Sequence, residues 1–132
     1  MNNADGVRVA ALDHVNIRTG DVPGSARYYA DLLGLEPRDA PSPMTREQAC
    51  WLFDQQGHAI IHLFKAAHTP GPTGAIHHVA LRCTGKTALL DKLRERGEGF
   101  DVHEAGGGLT LVFLRDPHGV LLELNFTEAD SK

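Results

Sequence analysis

Along "LDHVNIRTGD", residues 12–21, apolar and polar positions alternate. Val15 and Ile17 fall on one side and His14, Asn16 and Arg18 on the other. A period of two predicts a strand with one face buried. The pattern then turns helical. Asp21 stands as an N-cap, Pro23 is tolerated in the first turn, and Ala26, Tyr29, Leu32 and Leu33 make an apolar stripe that Gly34 ends. The same succession returns at "IHHVALRCTG", residues 76–85. His77, Val79 and Leu81 alternate with His78, Ala80 and Arg82. A second helix follows from about Thr84 or Gly85, with Leu89, Leu90 and Leu93 as its stripe, Arg94 and Arg96 in its last turn and Gly97 as its stop.

Setting His14 over His78 thus overlays two strand–turn–helix–glycine units at a shift of 64. The back ends repeat too. "LFDQQGHAIIHL" (52–63) lies over "FLRDPHGVLLEL" (113–124) without a gap, at a shift of 61, and each reads as strand, tight turn, strand. "LEPRDA" and "FDVHE" supply one further strand apiece, and "EAGGGL" (104–109) is a hairpin loop. The expectation is an α+β single domain, 1–132, made of two tandem βαβββ modules at about 9–67 and 75–127, joined by linker 68–74. One module has too little surface to bury alone, so two halves, of one chain or of two, must pair.

Composition narrows the function. At 132 residues with 42% hydrophobic content the chain can build a core. A formal charge of -4 and the lack of a Lys/Arg cluster argue against nucleic acid, whose affinity rests on neutralised phosphates. No apolar run is long enough to span a membrane, and the opening "MNNADGVRVAALDH" lacks a secretory pattern, so a cytoplasmic address is expected. Cys50 and Cys83 lie far apart in apolar surroundings and read as buried, reduced thiols. Eight histidines is a high count, and their placement carries the chemistry.

The repeat yields four equivalent positions: His14 and His78 on the first strands, His62 and Glu123 on the last. By the period of two, Ile60, His62 and Phe64 share one face, and Leu121, Glu123 and Asn125 share the matching one. The opposite faces are aliphatic and belong under the helices. The polar face is not ordinary core, since an unpaired buried polar group costs about 1–3 kcal/mol. It faces bulk water, lines a wet pocket, or binds something. Three imidazoles and a carboxylate suit Zn, Ni, Fe or Mn. Singly, each of these residues reads as a hydrogen-bonded or solvent-facing side chain; their joint placement at repeat-equivalent positions points to a metal.

The elements "LDHVNI…SARYYADLLGLEP", "HHVAL" and "DPHGVLLELNF", in this order and over about residues 9–127, resemble the vicinal oxygen chelate superfamily, also called the glyoxalase/bleomycin resistance/extradiol dioxygenase superfamily. The resemblance implies paired modules curling into an open, cup-shaped, mixed eight-stranded sheet around a divalent metal. It implies His14, His78 and Glu123 as ligands, with His62 as the fourth in glyoxalase-like members. It also implies a homodimer, often with sites shared between subunits, and a small-molecule substrate chelated through adjacent oxygens. Glu123 is then the first candidate for base and His62 the second. Asn16, Arg18 and Arg82, on the same face, are candidates to hold the substrate, the arginines through an anionic group.

One departure matters. Glyoxalase I typically has Glu where this chain has His62, which sets a symmetric exchange of two metal-bound carboxylates in question. Without His62, two His and one Glu make a facial triad with open positions, the Fe(II) dioxygenase arrangement. The expected function is a metal-dependent lyase or isomerase. The alternatives are an extradiol-type dioxygenase and a metal-free protein that sequesters a drug or metabolite. "ALRCTGKT" resembles the tail of a phosphate-binding loop, but Ala80 replaces its first Gly and it is set aside. Trp51, in "ACWLF", reads as core or dimer contact.

Overall fold

The computed structural model describes residues 6–68 and 70–127. The first module runs β1 (Val15–Thr19), α1 (Val22–Leu33), β2 (Glu36–Asp39), β3 (Ala49–Phe53) and β4 (Ala59–Lys65). The second runs β5 (Val79–Arg82), α2 (Lys86–Arg96), β6 (Asp101–Glu104), β7 (Thr110–Arg115) and β8 (Leu121–Phe126). The expected glyoxalase-like α+β architecture is present, with one difference. The eight strands lie in two sheets of four, ordered β1-β4-β3-β2 and β5-β8-β7-β6, rather than in one. β1 and β5, the strands that follow His14 and His78, are therefore left at sheet edges.

The local causes are those the sequence carries. Asp21 accepts a 3.0 Å bond from the Gly24 amide at the start of α1, satisfying one of the donors that a helix N-terminus leaves open. Gly34, at φ 70, ends α1 in the left-handed conformation that a side chain resists. Because β1 pairs parallel with β4, and β5 with β8, the chain needs a crossover between them, which the helices and the strands after them provide.

The inward positions of both sheets join the helices in one core. Ile17, Leu52, Ile61 and Leu63 of the first sheet, and Val112, Leu122, Leu124 and Phe126 of the second, are buried in it with Tyr29, Leu32, Leu89 and Leu93 of the helices. Each such side chain contributes about 1.5–3 kcal/mol on burial. Polar ties cross between modules as well: the Tyr28 hydroxyl donates to the Arg115 carbonyl at 3.3 Å, and Lys92 Nζ donates to the Asp31 carbonyl at 2.8 Å.

The gapless overlay of the back ends needs correcting. In the β3–β4 turn the Asp54 amide donates to the His58 carbonyl and the Gly57 amide to Asp54; in the β7–β8 turn Asp116 pairs the same way with Val120 and Gly119. Asp54 thus corresponds to Asp116 and Gly57 to Gly119, one position away from the shift that relates His62 to Glu123. The extra residue is absorbed in β4. Leu52 faces Ile61 but Phe53 faces Ala59, so Ile60 has no opposite residue and forms a bulge. The bulge restores the face, so that Ile60, His62 and Phe64 all remain half-buried on one side.

Of the two thiols, Cys50 is buried and Cys83 only partly so, and both are free. No helix among the described residues is long and apolar enough to cross a membrane.

Candidate metal site in two halves

The residues singled out from the sequence come together two by two. In the first module β1 places Asn16 directly opposite His62 of β4, and β3 places Trp51 opposite His62 on its other side. His14, one residue before β1 rather than in it, turns its ring onto His62 with centroids 3.7 Å apart and planes 14° from parallel. Trp51 covers the other face of His62 at 3.8 Å and 6°. Three rings therefore stack in order His14, His62, Trp51.

Asp13 completes this half. Its carboxylate accepts from His14 Nδ1 at 2.7 Å, an arrangement that leaves Nε2 with the lone pair and orients the ring. The same hydrogen bond holds the Asp13 carboxyl below its usual range. Burial, and then the neighbouring His14, lowers the pKa of His62. A His kept neutral is a His able to coordinate.

In the second module His78, one residue before β5, sets Nε2 3.5 Å from Oε1 of Glu123 on β8. Its Nδ1 lies 2.9 Å from Nδ1 of the exposed His77. Phe113 stands opposite Glu123 in the β7–β8 ladder, and its ring meets that of His78 edge to face. Asn125, two residues beyond Glu123 on the same face, sits opposite Arg82 of β5. Its Oδ1 is buried without a hydrogen-bond partner. An orphaned buried acceptor costs stability unless something outside the chain supplies a donor.

The two halves do not meet within one chain. Among the described residues no three His, Cys, Asp or Glu converge as a metal cage. Each half offers two donors, whereas protein metal sites of this chemistry use three or four. The donor types nevertheless fit a borderline divalent ion, with imidazole nitrogens at three positions and a carboxylate at the fourth. Arg18 and Arg82 are exposed, on the same faces as the two pairs.

Sequence reasoning misses three participants. Asp13 is legible as the Asp-His dipeptide, a pairing that fixes a ligand's tautomer. Trp51 stacks on His62 rather than serving only as core, and this follows from strand register, which the sequence does not display. The orphaned acceptor of Asn125 emerges only once its neighbours are placed.

Comparisons with known proteins bear on the fold and the family. Residues 11–124 match the family model described as the Glyoxalase/Bleomycin resistance protein/Dioxygenase superfamily. A relative from Synechocystis sp. named "Probable lactoylglutathione lyase" is 30% identical over 125 residues, covering 86% of this chain and 92% of its own. Among solved structures, a glyoxalase/dioxygenase from Nostoc punctiforme superposes with a TM-score of 0.75 at 16% identity, covering 95% of this chain and 99% of that one. A lactoylglutathione lyase from Agrobacterium tumefaciens gives 0.65 at 15% identity, covering 92% and 96%. These likenesses lie in the fold, and together with the family match over nearly the whole chain they leave one conclusion: the protein belongs to the glyoxalase/bleomycin resistance protein/dioxygenase superfamily.

Proposed function

We propose that the protein is a divalent-metal-dependent lyase or isomerase of glyoxalase type, acting on a small substrate through two adjacent oxygens, and that its site is completed by pairing two copies of the chain. The observation that carries this reading is the matched pair of half-sites. His14 with His62, and His78 with Glu123, occupy equivalent places in the two modules, each beside a first strand at a free sheet edge. Bringing β1 of one copy alongside β5 of another would unite three imidazoles and a carboxylate. A twofold pair would hold two such sites, both spanning the subunits.

The bound ion would supply Lewis acidity, stabilising negative charge that develops on a substrate oxygen. The chain's own residues do the rest. Glu123, a carboxylate facing His78, takes and returns the proton. His62 stays neutral and donates its lone pair. Arg18 and Arg82 hold an anionic group at the rim, while Asn16 hydrogen-bonds to the body of the substrate and the unpaired Oδ1 of Asn125 accepts a hydrogen bond from it. The relative named for lactoylglutathione lyase makes that reaction the first to assay.

The test is metal content and mass in one experiment. Protein purified without chelator is analysed for bound metal and by sedimentation, then assayed for lactoylglutathione formation with Zn, Ni, Mn and Fe. A dimer with close to one ion per chain and activity restored by a divalent ion supports the reading. Metal-free protein, with no thermal shift on adding any of the four ions, rejects it and favours a sequestering role.

A further inference from the structure

Asp13 and His77 each stand one residue before a proposed metal ligand, so the shift of 64 that sets His14 over His78 sets Asp13 over His77 as well. The side chains repeat the relationship. Asp13 accepts from Nδ1 of His14 at 2.7 Å, and His77 brings its own Nδ1 within 2.9 Å of Nδ1 of His78. The planes of the two histidine rings stand at 85°. Among the described residues the His77 ring makes no other hydrogen bond.

The direction of this bond depends on what the other nitrogen of His78 does. Two ring nitrogens at this distance need a proton on one and a lone pair on the other. Without metal, either sharing suits the spacing. His78 turns Nε2 toward Oε1 of Glu123, 3.5 Å away, so Nε2 is the nitrogen beside the other donor of its half-site. A neutral imidazole that coordinates through Nε2 carries its proton on Nδ1. His78 then donates, and His77 accepts through Nδ1 while its own proton sits on Nε2.

We infer, on the footing of the proposed metal site, that His77 is a positioning residue: its Nδ1 accepts from Nδ1–H of His78 and holds that ring with the Nε2 lone pair beside Glu123. Partners of this kind orient a metal-bound histidine and raise its basicity. The two modules fill the role differently. His14 donates to a carboxylate, whereas His78 donates to a neutral imidazole, a weaker acceptor. His78 is therefore the less firmly supported of the two ligands.

Zinc is the probe, added to the full-length protein and to three variants. His77→Leu removes the acceptor, His77→Asn sets a carbonyl oxygen about where Nδ1 stands, and His77→Asp reproduces the first module. Competition with a chromophoric chelator gives the affinity. His77→Leu should bind zinc about tenfold more weakly, the low end for such partners because water competes at this exposed bond. Its metal-free melting temperature should not move, since His77 is exposed. His77→Asn should recover most of the loss, and His77→Asp should bind at least as tightly as the unaltered protein. In isotope-labelled unaltered protein, NMR should show coupling between the two Nδ1 atoms with and without zinc, and the proton on Nδ1 of His78 once zinc is bound. No coupling in either state, undiminished zinc affinity in His77→Leu, or His77→Asn no better than His77→Leu would overturn the inference. Failure of the unaltered protein to take up zinc would instead count against the proposed function, and the coupling in metal-free protein would still decide whether His77 holds His78.

Discussion

The Tyr29 hydroxyl donates a 2.8 Å hydrogen bond to the carboxylate of Asp116, and both side chains are buried. One residue belongs to the helix of the first module and the other to the last turn of the second. Two further bonds from the backbone fix Asp116, so Tyr29 docks against a prepared acceptor. Burial, then the charge of Asp116, pushes the phenol pKa upward, and Tyr29 stays protonated and able to donate. Replacing Tyr29 by Phe removes a charge-assisted bond and should cost about 1.5–3 kcal/mol in urea unfolding. An unchanged midpoint would show that the two modules do not depend on this tie.

Much of this arrangement is legible in the sequence. Alternation around Val15 and Val79, the cap at Asp21 and the stops at Gly34 and Gly97 are local signals, and each element forms where its residues prefer to be. The bulge at Ile60 is not, because a single inserted residue leaves the alternation on either side intact. Its trace is nonetheless present: "DQQG" and "DPHG" are the same turn, and aligning their Asp and Gly forces the one-residue offset. The separation into two sheets is invisible for a different reason. It depends on how β1 and β5 meet other surfaces, which no local pattern encodes.

The thiols should be slow to react. Burial pushes the Cys83 thiol up to about 11 and raises that of Cys50 as well. Since the thiolate is the nucleophile, native protein at pH 8 should react with a disulfide reagent many times more slowly than urea-unfolded protein, which should yield both thiols promptly. A linkage follows. The unfolded Cys83 ionises near pH 9 and the folded one near 11, so stability is full below the first value and lost as pH rises through the second. Cys83→Ala should flatten that decline.

The imidazole of His62 gives the opposite limb. Its pKa is lowered by burial and then by His14, so the folded state resists taking the proton. Unfolded His protonates near pH 6.5. Below that value the unfolded chain binds more protons than the folded one, and stability falls with pH until the folded group also titrates. In metal-free protein the melting temperature should therefore drop as pH falls below about 6.5, and His62→Gln should reduce the drop. A pH-independent melting curve between 5 and 7 would mean that His62 is already open to solvent when folded.

The division of donors between two faces makes the sharpest prediction. His14→Ala disables the half-site of the first module and Glu123→Ala that of the second, and neither removes a core side chain. Each variant alone should fold and fail to take up metal. If the site spans two copies, a mixture refolded together behaves differently. Random pairing makes about half the dimers mixed, and in each mixed dimer one of two sites receives an intact half from both partners, so about a quarter of the wild-type metal content should return. Within a single chain no such rescue exists, because every chain in the mixture carries a broken set. Metal content of the refolded mixture no higher than that of the separate variants, despite dimers by sedimentation, would place both halves of the site in one chain and require the two sheets to close on each other.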